Sequence, residues 1–312
     1  VTVATTVLRV GTRSSTLARS QTQQVVEAIL LASAELVVDT VLVSTEGDRS
    51  AAPLTQIGGT GVFTSALREA LLAGRIDVAV HSYKDLPTDP AAGIILAAVP
   101  GRVDPRDALC ARDDMTLLEL PSGARVGTGS PRRAAQLRAL DLGLEMIAIR
   151  GNVDTRLARV GEDLDAVVLA AAGLARIARL DAATELLDPL QVLPAAGQGA
   201  LAVECREDDE RTRLLLAPLD DLHSRAAVAA ERALLRALEG GCSAPVGALA
   251  EVSESDDGGF EIFLRGSVTA LDGNDAVRLS ATGPVNTAEE IGRRLAAELL
   301  DRGADTMMGS ST

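Results

Sequence analysis

Aromatic side chains are almost missing from this sequence. Its 312 residues include no Trp, one Tyr and three Phe. A base-stacking platform for nucleic acid is therefore not expected, and the core has to be built from Leu, Val, Ile and Ala. Histidine is equally scarce, with only His81 and His223, and the three cysteines stand far apart at 110, 205 and 242. No Cys/His spacing resembles a zinc site, and no disulfide framework can be drawn. No metal is expected, with a carboxylate-only site as the alternative. Positive charge is in deficit too: 30 Lys and Arg face 44 Asp and Glu, for a net charge of −14. That balance argues against nucleic acid as a partner, so any anion site must be a local arginine cluster. No apolar run approaches the roughly 18 residues that span a bilayer, so no membrane partner is expected. "VTVATTVLRVG" has neither a basic n-region nor a long apolar h-region and does not read as a signal peptide. The expectation is a cytoplasmic protein, and a monomer, since no excess apolar face is evident.

What is present is an ordinary globular composition, 47% hydrophobic and 24% charged, long enough for two or three domains. The first 200 or so residues alternate short apolar runs with helical patterns, the signature of βα units. "VLRV" (7–10), "VVDTVLV" (37–43) and "IDVAV" (76–80) read as strands. A helix runs from Thr16 to Leu31, and "TSALREALLAG" (64–74) reads as a second, with Thr64 as N-cap and Gly74 as terminator.

An internal echo follows. "RVGTRSS" (9–15) returns as "RVGTGSP" (125–131), and "IDVAVHS" (76–82) as "LDAVVLA" (164–170). The shared strand–turn–helix context favours two related α/β lobes facing each other across a ligand cleft. "VPGRVDPRD" (99–107) and "QVLPAAGQGA" (191–200) read as the crossings between lobes, with "LAVEC" (201–205) rejoining the first. Beyond "LAPLDD" the pattern changes to a strong helix (222–240), three antiparallel strands and a final amphipathic helix (287–300). "SESDDGG" (253–259) reads as the hairpin loop between two of these strands. The tail "TMMGSST" is expected to be disordered.

Several stretches could carry chemistry. In "GSPRRAAQL" Ser130 is a good N-cap and Pro131 sits at the first helical position. The helix N-terminus, with Arg132 and Arg133, offers a carboxylate site. A capped helix with solvated arginines is the competing reading. "GTRSS" repeats the design with Arg13 and Ser15. "IRGNVDTR" supplies Arg150 and Arg156, and "GQGA" supplies Gln198 in a glycine-flanked loop. Such strand-to-helix junctions converge at one end of an α/β lobe, which suits a poly-carboxylate ligand. Phosphate is the rival, though no GxxxxGK[ST] or GxGxxG fingerprint appears. In "HSYKDLPT" Lys84 stands beside Asp85 just after a buried strand. Asp85 is either an acid, base or cation stabiliser, or a turn residue bonded to local backbone. Cys110 and Cys205 lie in apolar runs and read as inert core thiols. Cys242 differs: it follows Gly240-Gly241 in "LEGGCSAPVGA", a loop that permits close approach.

Taken together, "GTRSSTLA", "TEGD", "GGTGVF", "HSYKDLPT", "DPRDAL", "VGTGSPRR", "IRGNVDTRL", "PAAGQGALAVE" and "EGGCSAPVGA" resemble the porphobilinogen deaminase (hydroxymethylbilane synthase) family, in family order from residue 11 to 248. The resemblance implies an α/β fold: two related periplasmic-binding-protein-like lobes plus a smaller α+β C-terminal domain with an antiparallel sheet. The domains would be 1–101 with 199–218, then 102–198, then 219–312. It implies a transferase that joins four porphobilinogen molecules head to tail, each losing ammonia, before water releases a linear tetrapyrrole. It also answers why Cys242 has no catalytic partner in the sequence. In the family that thiol anchors a dipyrromethane cofactor through a thioether. Asp85 matches the catalytic aspartate. Arg13, Ser15, Lys84, Thr128, Ser130, Arg132, Arg133, Arg150 and Arg156 match positions that hold cofactor or substrate carboxylates. Phe63 would pack near the pyrroles and Gln198 would line the cleft. Thr60 departs from the family's common lysine in the "GGTGVF" loop. A solute-binding module could share the two lobes, but would need neither Cys242 nor the third domain. A cysteine hydrolase would have only two histidines to serve as base.

Overall fold

The computed structural model describes residues 7–33, 35–43, 62–238, 244–255 and 258–308, with the side chains of 62 and 63 outside that set. The chain divides into two compact units, Val1–Arg102 with Ala200–Arg225, and Val103–Gly199 with Ala226–Thr312.

The first unit is built on β1 (Val7–Thr12), β2 (Val37–Leu42), β3 (Val78–Ser82), β4 (Ile94–Ala98) and β10 (Leu201–Arg206), in the order β2-β1-β3-β10-β4. β1 runs parallel to β2 and β3, and β10 returns antiparallel between β3 and β4. Helices α1 (Thr16–Ala32) and α2 (Val62–Leu72) follow β1 and β2 in the chain. One face of the sheet buries Val10, Val78, Val80, Val203 and Cys205 with Val25 and Ile29 of α1. The other buries Ala79 with Leu67 and Leu71 of α2 and with Ile76. Strands covered on both faces read as continuous apolar runs, which is why "IDVAV" was legible; "VLRV" buries Leu8 and Val10 while Val7 is exposed and Arg9 half-buried. α2 begins two residues before Thr64, so Thr64 lies inside the helix and is not its cap. Gly74 ends that helical region with a left-handed φ of +65°, as the sequence implies.

The second unit holds two sheets. β5 (Asp107–Ala111), β6 (Arg125–Thr128), β7 (Glu145–Ala148), β8 (Ala166–Ala170) and β9 (Glu185–Leu186) take the order β7-β6-β8-β5-β9. This repeats the first unit's arrangement: a parallel trio, then an antiparallel strand, then an edge. The sequence echo has a packing cause. A Cβ on Gly11 of β1 would lie 2.4 Å from the Ile76 side chain, and one on Gly127 of β6 would lie 2.6 Å from Leu164. Each lobe fills the same space with a branched side chain.

The other sheet is antiparallel, β11 (Val246–Glu254), β12 (Phe260–Thr269) and β13 (Ala276–Pro284) in that order. Ser253 and Glu254 of "SESDDGG" belong to β11 and pair with β12, where a loop was expected, and 256–257 lie outside the described residues. It packs on α7 (Leu222–Ala237) and α8 (Ala288–Asp301) through Leu234, Ile262, Leu264, Leu295 and Leu299. Earlier in the chain, α3 (Pro131–Arg138), α4 (Val153–Leu157) and α5 (Ala171–Arg176) belong to the second unit and α6 (Glu210–Leu216) to the first, and α9 (Ala304–Met307) follows α8. α9 corrects one expectation. Thr306 and Met307 belong to a helical turn, because Met307 is buried in this core; residues 309–312 lie outside the described set. Two mixed α/β sheets followed by an α+β segment are the fold class read from the sequence. No helix among the described residues is long and apolar enough to cross a membrane.

Candidate functional site

In the first unit the site residues gather at the ends of β1 and β3. Ser15 caps α1, accepting from the Ala18 N–H at 3.2 Å, and Arg13 precedes it in the turn, half-buried. β3 runs directly into a single 3₁₀ turn, Tyr83–Asp85. Its entry is fixed by Tyr83 N donating to the Ala200 carbonyl at 3.0 Å and by the buried Tyr83 ring. It closes with Leu86 N donating to Tyr83 O. Lys84 is half-buried and the Asp85 carboxylate is exposed at the turn's end. Gln21, buried in α1, donates to Ser82 Oγ at 2.6 Å and so ties that helix to the strand carrying Asp85.

Under the same strand lies a buried charged group. Arg68 of α2 donates through Nε and Nη2 to both oxygens of Glu204, at 3.0 and 2.7 Å. His81 Nε2 stands 3.2 Å from Glu204, within ion-pair reach but off the line of a hydrogen bond. Burial alone would raise the Glu204 carboxyl, but His81 and Arg68 outweigh it and hold it at about 2 against an ordinary 4.5. A carboxylate depressed in the fold stabilises it above its free value, and that support disappears as pH falls through the folded value. Between pH 4.5 and 2 the wild-type protein is therefore expected to lose stability more steeply than Glu204→Gln. At neutral pH the variant should be less stable by about 3–5 kcal/mol, the cost of breaking a buried pair. Denaturant titrations across that range check both; parallel pH curves would contradict the assignment.

In the second unit the echo places Thr128, Ser130, Arg132 and Arg133 at the end of β6. Ser130 caps α3, accepting from Arg133 N, while its own N–H donates to Thr128 Oγ1. The two arginines are not solvated. Arg132 is 3% and Arg133 5% exposed. Both close on Asp107, the first residue of β5, which has no exposed surface. Arg132 Nη2 donates to its Oδ2 at 2.8 Å and Arg133 Nε to its Oδ1 at 2.9 Å. Arg132 also donates to the Leu193 carbonyl and Arg133 to that of Val168. Gln198, fully buried, donates to Asp107 Oδ1 and to the Pro105 carbonyl, each at 2.7 Å. Burial would raise the Asp107 carboxyl. The charges of Arg132 and Arg133 and the bonds from Arg133 and Gln198 reverse this and hold it well below the usual carboxylate range. Arg132 and Gln198 are thus interior members of a network, where the sequence suggested open strand ends.

Arg150 and Arg156 take the outward places. Arg150 is exposed just past β7, and Arg156 is half-buried in α4, its Nε donating to Gly151 O at 2.8 Å. Burial lowers the Arg156 guanidinium, and repulsion from Arg133 and Arg150 lowers it further. Three cations close enough to repel one another have the chemistry to hold carboxylates. A Cβ on Gly129 would meet the Ile149 carbonyl at 2.7 Å and lie 3.8 Å from Arg156, so glycine keeps the approach to the guanidinium open.

Sequence reasoning missed Asp107, Gln21 and Arg176. Arg176, at the end of α5, is pushed down to about 10 by burial and donates to the Gly199 carbonyl at 2.8 Å. Asp107 carried a usable signal, an acid opening the apolar run "ALCA". Cys110 and Cys205 are buried, and burial pushes both thiols up to about 11, as inert core residues should be. Cys242, Thr60 and the Phe63 side chain lie outside the described residues.

Comparison with known proteins bears directly on these two groups. The family model described as porphobilinogen deaminase, dipyromethane cofactor binding domain, matches residues 8–214, and that for the porphobilinogen deaminase C-terminal domain matches 226–301. Proteins named porphobilinogen deaminase from Mycobacterium tuberculosis and Mycobacterium bovis are 58% identical over 308 residues, covering 96% of this chain and 98% of theirs. One from Nocardia farcinica is 57% identical over 310 residues, covering 97% and 88%. Among solved structures, the periplasmic aliphatic sulphonate binding protein SsuA from Escherichia coli aligns at a TM-score of 0.39 and 15% identity, covering 75% of this chain and 70% of its own. The L-cystine solute receptor of Neisseria gonorrhoeae aligns at 0.38 and 13%, covering 69% and 86%.

Proposed function

The chain belongs to the porphobilinogen deaminase family, and on that premise we propose which of its residues hold the primer and which act on the substrate. It is a transferase that assembles a linear tetrapyrrole from porphobilinogen, and it contains the family's dipyrromethane cofactor binding domain. Each addition forms one carbon–carbon bond and releases one ammonia; water ends the cycle. The dipyrromethane, when bound, supplies the pyrrole on which the chain starts. In this reading Cys242 anchors it through a thioether and the third domain, 219–312, carries that anchor. Domains 1–101 with 199–218 and 102–198 are the lobes.

The observation that carries the reading is the arginine cluster of the second unit. Dipyrromethane and porphobilinogen both bear acetate and propionate groups, and the donor set fits them. Arg150 and Arg156 offer guanidinium forks, Arg133 adds its charge from behind, and Ser130 and Thr128 stand at the adjoining helix start. Arg132 and Gln198 act through Asp107, holding Arg133 in place. In the first unit Arg13, Ser15 and Lys84 serve further carboxylates, and Phe63 packs against a pyrrole. Asp85 accepts a hydrogen bond from a pyrrole N–H of the substrate. When ammonia leaves, the substrate becomes cationic, and a fixed carboxylate stabilises that charge and takes part in proton transfer. We also propose a cytoplasmic monomer; the net charge of −14 favours solubility without association.

Arg156→Leu tests the cluster. A lost charge-assisted bond is worth about 1.5–3 kcal/mol, so KM for porphobilinogen should rise roughly ten- to a hundred-fold. The fold should survive, because leucine relieves a repelled cation. An unchanged KM together with full cofactor content would overturn the carboxylate role.

A further inference from the structure

Glu231 lies in the middle of α7 and has no exposed surface. Its carboxylate accepts from two main-chain donors: Oε2 from Gly197 N at 2.6 Å, and Oε1 from Ala250 N at 2.8 Å. The first donor belongs to the loop whose next residue, Gln198, donates to Asp107, the acid that holds Arg132 and Arg133. The second belongs to β11, which follows Cys242 in the chain, while α7 precedes it. One buried carboxylate therefore joins the two elements that flank the cysteine in sequence to the loop that runs into the arginine network. Parallel ties run beside it. Ala248 N donates to Pro194 O at 2.9 Å, and Gln136 of α3 bonds both the N–H and the carbonyl of Leu193. A Cβ on Gly247 would come 2.9 Å from Leu193 O, so β11 is seated against the same segment. Main-chain donors have no rotamers, which makes a charged acceptor between two of them a stiff joint.

We propose that Glu231 is a positioning residue for cofactor attachment, fixing the elements on either side of Cys242 against the frame of the arginine cluster. The proposal rests on the reading of Cys242 as the anchor. A purely structural staple would lower stability without altering how a folded chain takes up its primer, and that difference is measurable.

The experiment uses the full-length apo-protein, incubated with porphobilinogen, with the gain of covalent mass followed by denatured intact-mass spectrometry. Glu231→Gln keeps the side-chain volume but turns one acceptor into a donor facing an N–H. Leu264→Ala is the control: Leu264 is fully buried on β12 directly opposite Ala250, so its truncation loosens the packing around the same donor, but its side chain has no polar atom and the Glu231 carboxylate is left in place. Both are assayed well below their unfolding temperatures, with folding verified by circular dichroism. Glu231→Gln should load about ten-fold or more slowly than Leu264→Ala. Its rise in unfolding temperature on loading should also be smaller. Should Glu231→Gln not fold, Glu231→Asp keeps the charge but withdraws the carboxylate, and it should load more slowly than the control. Loading of the folded Glu231 variant at the control's rate overturns the proposal alone, provided Cys242→Ser gains no mass. If Cys242→Ser does gain mass, the anchor reading falls and this proposal with it.

Discussion

Asp85→Asn should fold as the wild type does and release ammonia from porphobilinogen about a hundred-fold more slowly, or slower still. Asparagine keeps the size and one acceptor oxygen, so the 3₁₀ turn, fixed by Tyr83, Ala200 and Leu86, has no reason to change. What it loses is the negative charge. A neutral amide accepts a hydrogen bond from a pyrrole N–H but does not offset the positive charge that appears when ammonia departs. Asp85→Glu keeps the charge and moves it, and a misplacement of about 1 Å can cost a hundred-fold; a small residual rate is expected. The carboxylate is exposed and its turn is anchored through main-chain bonds, so neither variant should change stability by more than about 0.5 kcal/mol. Single-turnover ammonia release on cofactor-loaded protein separates chemistry from loading. Release at the wild-type rate by Asp85→Asn would make Asp85 a turn residue and remove the proposed cation stabiliser.

Cys242→Ser should be inactive for a different reason: without the thiol there is no attachment point for the primer. The variant should fold, fail to gain covalent mass from porphobilinogen, and give no colour with an acidic aldehyde reagent for pyrroles. Cys110→Ser and Cys205→Ser provide the contrast. Both thiols are buried and held protonated near neutral pH, so neither is a nucleophile. Their replacement puts a hydroxyl in an apolar core, costing stability but leaving cofactor content intact. Loss of the adduct from either of these variants while folded, with its retention in Cys242→Ser, would reverse the assignment.

A short, β-branched apolar run such as "VVLA" of β8, buried on both faces, was legible because it fits a central strand better than any surface element; β2, an edge strand with no buried residue, was legible from its β-branched residues instead. The Ser130 cap was legible because capping is local: the acceptor and donor are three residues apart. Arg132 and Arg133 show where local reading fails. Their helix start suggested exposed forks, but the partner that takes them inside, Asp107, is more than twenty residues away. Gln21 and Glu204 were hidden for the same reason, since their partners lie on other elements. Glu231 was within reach. It lies on the stripe of α7 that buries Ala227, Val228, Ala230 and Leu234, and an acid on a core-facing stripe demands a buried partner. Thr64 misled because a good capping residue also fits a helix's first turn, and the helix takes in two residues before it, Val62 and Phe63.

Everything proposed for the reaction starts from a covalent primer on one particular thiol. The direct measurement is peptide mass mapping of the native, purified protein, digested under denaturing conditions without reduction of the cofactor. The peptide spanning Glu239 to Ala248 is expected to carry the added mass of two substrate-derived pyrroles on Cys242, with the Cys110 and Cys205 peptides unmodified. An active protein whose Cys242 peptide has only its unmodified mass would contradict it.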